Sequence, residues 1–153
     1  MSLFVAGTPV QQGSKGAGIR AGKAFLFDTN SKTLRPWRKA VKAAAEVAWR
    51  DEGHAPIAGP VQATLTFLFP TVPSQPDRHW HAGKPDVDKL CRAAFDAFTD
   101  ARLVADDALI VRVLASKRYV ESHEQPGMHV EVDGLADHES LASTRRKRER
   151  THR

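Results

Sequence analysis

The segment Val61–Phe69 constrains the fold more than any other part of the chain. Val61, Ala63, Leu65, Phe67 and Phe69 alternate with Gln62, Thr64 and Thr66, and Pro70 ends the run. That period of two predicts a strand with one buried side, which needs a covering layer. Helical patterns flank it. From Leu34 to about Arg50, Trp37, Val41, Ala44, Ala45, Ala48 and Trp49 recur at spacings of three and four. Ser31 or Thr33 is expected to cap that helix and Gly53 to stop it. Trp37 and Trp49, on one helical face, are expected in the core. A second helix is predicted from Asp86 or Val87, with Val87, Leu90, Ala94, Ala97 and Phe98 on its apolar stripe. Further strands are expected at Leu3–Ala6, Ala24–Phe27, Leu109 to about Val120, and Met128–Val132. Gln11 to Lys23 reads as a glycine-rich loop and Pro70 to Pro85 as a proline-rich one. The expected architecture is α/β (α+β): a single two-layer domain over 1–133, with a mixed β-sheet and two main helices on one face.

Length and composition narrow the function classes. A chain of 153 residues fits one domain. Its single cysteine, Cys91, excludes an internal disulfide framework and a cysteine-based zinc knuckle. No apolar run reaches the 18 residues of a membrane span, and the N-terminus lacks the features of a signal peptide. A cytoplasmic protein is expected. The net charge of +5 is unevenly placed. Residues 143–153 carry six of the 23 Lys/Arg and one of the 18 acids, so residues 1–142 balance at 17 of each. The 134–153 segment therefore reads as a basic, disordered tail: a solvated end, or less commonly an arm for polyanions.

The chemistry-bearing segment is Lys84-Pro85-Asp86-Val87-Asp88-Lys89-Leu90, followed by Asp106-Asp107. One aspartate at a helix start has an ordinary role, capping free N–H groups and complementing the helix dipole. Capping does not account for a second carboxylate two residues on and two more before the next strand. Such carboxylates repel unless a cation offsets them. Hard divalent ions take oxygen ligands of this kind. A metal site and a capped, solvated helix start both remain open on pattern alone.

These residues, with Arg92-Ala93-Ala94-Phe95-Asp96-Ala97-Phe98-Thr99 and Asp106-Asp107-Ala108, resemble the signature of the RusA family of Holliday junction resolvases. The resemblance runs over roughly residues 3–132 and includes Gly7-Thr8-Pro9 and Lys117. It implies a homodimeric nuclease that hydrolyses phosphodiesters in four-way DNA junctions during recombination and repair. It also implies Mg²⁺, with Mn²⁺ as a substitute, on Asp86, Asp88 and Asp107. Asp107 is preferred over Asp106 because its parity matches Leu109, Val111 and Val113, expected on the inward strand face. Arg92 stands where the family often has lysine, Lys89 where asparagine is common, and Leu109 where a polar residue is common. Arginine keeps its charge, so Arg92 would be a poorer acid if that position donates a proton to the leaving oxygen in catalysis, and loses little if it offsets phosphate charge.

Other basic residues supply DNA contacts in this reading. Lys15, Arg20 and Lys23 fit phosphates from the glycine-rich loop, and Arg78, His79 and Lys84 from the proline-rich one, where Trp80 stacks on a base. Lys89 and Lys117 complete the expected DNA-binding set. Cys91 is expected to be structural. The competing function is a non-catalytic branched-DNA-binding protein on the same fold, which would leave junctions intact with Mg²⁺ present. A bacterial or phage-encoded origin fits either.

Overall fold

The computed structural model describes residues 1–136. The basic run 143–153 expected in the tail lies outside the described residues. In chain order the elements are β1 (Ser2–Ala6), β2 (Lys15–Arg20), β3 (Lys23–Asp28), α1 (Ser31–Ala45), β4 (Val61–Phe69), α2 (Val87–Asp100), β5 (Ile110–Tyr119) and β6 (Gly127–Gly134). Four strands form a mixed sheet in the order β1-β6-β4-β5, and β2 and β3 form a separate hairpin. This is the α+β class expected from the alternation of strands and helices. No helix among the described residues is long and apolar enough to cross a membrane.

The register explains the core. Leu65 pairs with Val130, Phe67 with Met128 and Ala63 with Val132 across the antiparallel β4–β6 ladder, so all six share one face. Trp37, Val41 and Ala45 of α1 and Leu90, Ala94, Ala97 and Phe98 of α2 bury against that face. Both helices therefore cover the same side of the sheet. Phe67 and Phe98 are fully buried, and truncating either to alanine is expected to cost about 3–5 kcal/mol.

Strands β4 and β5 run parallel, and such a pair needs a crossover connection. That crossover is α2. It begins beyond the C-terminal end of β4 and returns the chain to the N-terminal end of β5. Ile57, just before β4, exchanges backbone hydrogen bonds with Leu103 and Ala105, which places the segment before β5 at the N-terminal end of β4.

Three local expectations change. Gln11 to Lys23 is not all loop, because Lys15–Arg20 pairs with Lys23–Asp28 around a two-residue turn. Ala21 and Gly22 both have positive φ, +50° and +73°, the signature of the type I′ turn that suits strand twist. Gly16 and Gly18 lie opposite Phe27 and Phe25, whose rings reach into the space a β-carbon would fill. The glycines that suggested a loop are thus the floor for two aromatic rings. The cap of α1 is Asn30, not Ser31 or Thr33, and its side chain makes no capping bond. The Asn30 amide instead donates to the Gln11 carbonyl at 2.7 Å, while the Thr33 hydroxyl donates to the Asn30 carbonyl at 3.1 Å. Finally, the α-helix ends at Ala45 and continues as a π-helical turn, Glu46–Arg50. At 3.6 residues per turn, the twelve positions between them already set Trp49 about 120° around from Trp37, so the two do not share a face. Trp37 is buried, whereas Trp49 is half-buried, donates to the Ala55 carbonyl at 2.8 Å and stacks on His54. Gly53, at φ +84°, follows the stop as expected.

Candidate active site

Asp86 precedes the first residue of α2 in extended conformation, where a capping aspartate belongs, yet its carboxylate makes no capping hydrogen bond. It lies 3.6 Å from the Lys89 ammonium instead. Asp88, in the first turn, is exposed and has no hydrogen-bond or ion-pair partner among the described residues. Capping therefore does not account for either carboxylate. Arg92 is exposed one turn beyond Asp88, the i, i+4 spacing that puts the two on one helix face. Cys91 is buried between them. Burial, and secondarily the negative charge of Asp88, pushes its thiol up to about 11, so it is protonated and unreactive near neutrality.

What holds this helix start was not visible in the motif. The backbone N–H of Asp86 donates to Oε1 of Gln11 at 2.7 Å, and the N–H of Gln12 donates to the carbonyl of Lys89 at 3.0 Å. From the sheet side, the ammonium of Lys117 donates to the carbonyls of Gly83 and Pro85, across the cis Lys84–Pro85 bond. Lys117, expected on DNA, thus spends two of its three N–H donors fixing the motif. Gln11 and Gln12 were missed because a glutamine in a connecting loop carries no sequence signal of its partner.

Asp106 and Asp107 separate cleanly. Oδ1 of Asp106 accepts from the N–H of Ala108 at 2.8 Å and caps a short 3₁₀ turn, Asp107–Leu109. Asp107 is exposed, with no hydrogen-bond or ion-pair partner among the described residues. It remains the available carboxylate, but not for the reason of parity. The 3₁₀ turn interrupts the alternation, the register shifts at the start of β5, and Val111 and Val113 are 61% and 45% exposed.

The structure brings together Asp86 and Asp88 with Lys89 and Arg92, but not Asp107 within the same chain. The 14 residues of α2 span about 21 Å. Lys117 reaches the start of α2, whereas Ile110 opens β5 beside Val61, and the intervening strand covers about 23 Å. Asp86 and Asp107 therefore sit at opposite ends of the sheet, about 20 Å apart by that helix rise. Among the described residues no group of three or more His, Cys, Asp or Glu is arranged to hold a metal ion. The donors are nonetheless of the right chemistry for one. Magnesium is commonly held by one or two carboxylates together with waters and substrate phosphate, and Asp86 and Asp88 supply such a pair.

The remaining expected DNA contacts fall in two places. Lys15, Arg20 and Lys23 lie on the β2–β3 hairpin and are exposed. Arg78, His79, Trp80 and Lys84 are exposed on the loop before α2. That loop is not free. The N–H of His81 donates to the Lys117 carbonyl and the N–H of Tyr119 to the His79 carbonyl, so residues 79–81 pair along the edge of β5. The His81 ring packs against Phe69 and Tyr119, at 4.4 and 4.9 Å between centroids.

A comparison with curated proteins finds no match. The model of one protein family, described as Endodeoxyribonuclease RusA, matches residues 7–133, which include α2, the loop before it and the Asp106-Asp107 pair. A match over that much of the chain, with its carboxylates uncapped at a held helix start, makes the chain a member of the RusA family of endodeoxyribonucleases, hydrolases of phosphodiester bonds that resolve Holliday junctions.

Proposed function

We propose that this chain cleaves four-way DNA junctions in a reaction that depends on Mg²⁺, with Mn²⁺ as a substitute, and that it works as a homodimer in the bacterial cytoplasm on phage or host DNA. The observation that carries the reading is the pair of uncapped carboxylates, Asp86 and Asp88, at a helix start fixed from three sides by Gln11, Gln12 and Lys117. A site that must hold geometry during chemistry needs such support. Asp86, Asp88 and Asp107 would hold the cation. When bound, it supplies Lewis acidity toward the phosphoryl group and lowers the pKa of water. Lys89 opposes the charge of Asp86, and Arg92 faces the charge that builds on the phosphate. The nuclease unit is residues 1–133, with 134–153 as a basic tail.

The dimer is supported by two considerations. A four-way junction presents two equivalent strands, which a two-fold pair of chains would meet with two sites. The second is the position of Asp107. Residues 79–81 cover the edge of β5 at Lys117–Tyr119, while Val111, Val113 and Leu114 nearer its start are exposed. Antiparallel pairing of that open half with a second copy, centred near Val113, would carry the partner's Asp107 toward the Asp86 end of the first chain. Three carboxylates that one chain keeps apart would then share a site.

The test is cleavage of a synthetic four-way junction with and without Mg²⁺. Paired nicks that need the ion, and disappear in Asp88→Asn, are the expected result. Binding without cleavage at any Mg²⁺ concentration would favour the non-catalytic alternative.

A further inference from the structure

The hairpin β2–β3 stands out because it exposes two aromatic rings, Phe25 and Phe27, although Phe27 also lines a pocket with Leu34, Arg35 and Arg38 of α1. Its register places three cross-strand pairs on one face: Gly16 with Phe27, Gly18 with Phe25, and Arg20 with Lys23. The far ends of the two rings lie where the glycine β-carbons would be, with Cζ of Phe27 2.6 Å and Cζ of Phe25 2.8 Å from those positions. Any side chain at residue 16 or 18 would lift the ring above it. The rings neighbour one another at 5.7 Å between centroids, and each residue is 44% exposed. Arg20 and Lys23 flank them at the turn, on the same face and exposed.

Two adjacent aromatic faces beside two cations match what unstacked nucleotides require. Each base offers a π-face for stacking, and its phosphate seeks positive charge. A protein partner with an apolar patch would instead meet two desolvated cations, which argues against that occupant. Placement adds to this. The chain enters β2 directly from Gln11 and Gln12, the residues that hydrogen-bond Asp86 and Lys89, and Asn30 just after β3 donates to the Gln11 carbonyl. The hairpin and the start of α2 therefore share one hydrogen-bonded root. Six paired residues per strand project about 20 Å from that root.

We propose that the Phe25–Phe27 face of this hairpin is a stacking platform for unpaired or unstacked bases at the branch point of the DNA, with Arg20 and Lys23 on the adjoining phosphates. The inference rests on the junction-nuclease reading. It assigns the hairpin the recognition of the branch, apart from the carboxylates that cut.

The experiment measures affinity in EDTA, where no cleavage occurs, for a four-way junction and for a linear duplex of equal length. The variants are Phe25→Leu/Phe27→Leu, which keeps apolar bulk over the glycines, and Phe25→Tyr/Phe27→Tyr, which keeps the rings. The leucine variant is expected to lose at least about tenfold in junction affinity. Its duplex affinity should stay within about twofold, and the tyrosine variant should bind the junction like the parental chain. Unchanged junction affinity in the leucine variant overturns the platform. So does an equal loss on junction and duplex, which would mark a general loss of DNA binding or of folding. Cleavage of the same junction by the parental chain in Mg²⁺ reports on the nuclease reading separately.

Discussion

The backbone N–H of Asp86 donates to the side-chain oxygen of Gln11, 2.7 Å away and 75 positions earlier in the chain. The first N–H groups of a helix have no partner inside it, and elsewhere a side chain at the helix start serves them. Here a remote glutamine serves the N–H of Asp86 itself, the group that a side chain three residues on serves in a capping box. The Asp86 carboxylate makes no capping bond and sits 3.6 Å from the Lys89 ammonium.

Gln11→Ala is expected to orphan that N–H, at a cost of about 1–3 kcal/mol in stability. Cleavage should fall more than stability alone requires, because the backbone that carries Asp86 would lose an anchor. Thermal melts and kcat/KM on a junction, measured together, check this. A variant that melts lower but cuts at the parental rate would show that Gln11 only stabilises.

Asp106 and Asp107 are neighbours with opposite expected phenotypes. Asp106→Asn keeps an acceptor for the Ala108 N–H, so it should change stability by about 1 kcal/mol at most and leave cleavage largely intact. Asp107→Asn should fold normally and lose about a thousandfold in rate, equivalent to roughly 4 kcal/mol of barrier. Single-turnover cleavage at saturating Mg²⁺ separates them. Equal losses would undo the division of labour.

If the partner's Asp107 completes each site, two inactive chains should rescue one another. Mixing Asp88→Asn with Asp107→Asn chains gives heterodimers in which one site holds both changes and the other holds neither. Nicking of one strand should return on mixing. Sites built within single chains would leave every site damaged, and the mixture would stay inactive.

Arg92→Lys is expected to retain substantial cleavage, since the charge remains one turn from Asp88, while Arg92→Ala should lose most of it. The pH profile of Arg92→Lys should match that of the parental chain through neutrality if the residue only offsets charge. An alanine variant with parental rates would remove Arg92 from the site.

Arg118 grips Glu124 through two hydrogen bonds of 2.6 and 2.7 Å and, with the N–H of Glu121, holds its carboxyl down to about 2 from 4.5. A depressed acid adds stability above its unfolded pKa and loses it as the pH falls through the folded value. Glu124→Gln should therefore melt below the parental chain at pH 6. The gap should shrink as pH falls from about 4.5 toward 2, and a gap constant over that range would contradict the pairing.

The sequence was most legible where a period repeats. Val61 to Phe69 and the stripe from Leu90 to Phe98 announce their burial through alternation and helical spacing, and both proved to be core. It misled at Lys15–Arg20, because glycines that read as flexible are there to receive Phe25 and Phe27 from the next strand. The parity drawn through Asp107 failed because a 3₁₀ turn separates it from the strand. The motif singled out the carboxylates without revealing that α2 separates Asp86 from Asp107, since only the parallel pairing of β4 and β5 imposes that distance. Gln11, Gln12 and Lys117 as supports of the helix start depend on contacts between distant segments, which no local pattern encodes.

Among the described residues, strand β1 has β6 as its only neighbour in the sheet, so residues 2–6 find their partner in residues 127–131. During synthesis, β1 emerges well before β6 and must wait unpaired until the elements between them have followed. The central ladder closes late as well, because β6 also flanks β4. A nascent chain of this kind has no finished sheet on which to mount its carboxylates, and long-range pairing of this sort makes for slow closure. The ladder that positions Asp86 is thereby completed only after the segment carrying β6 has been made.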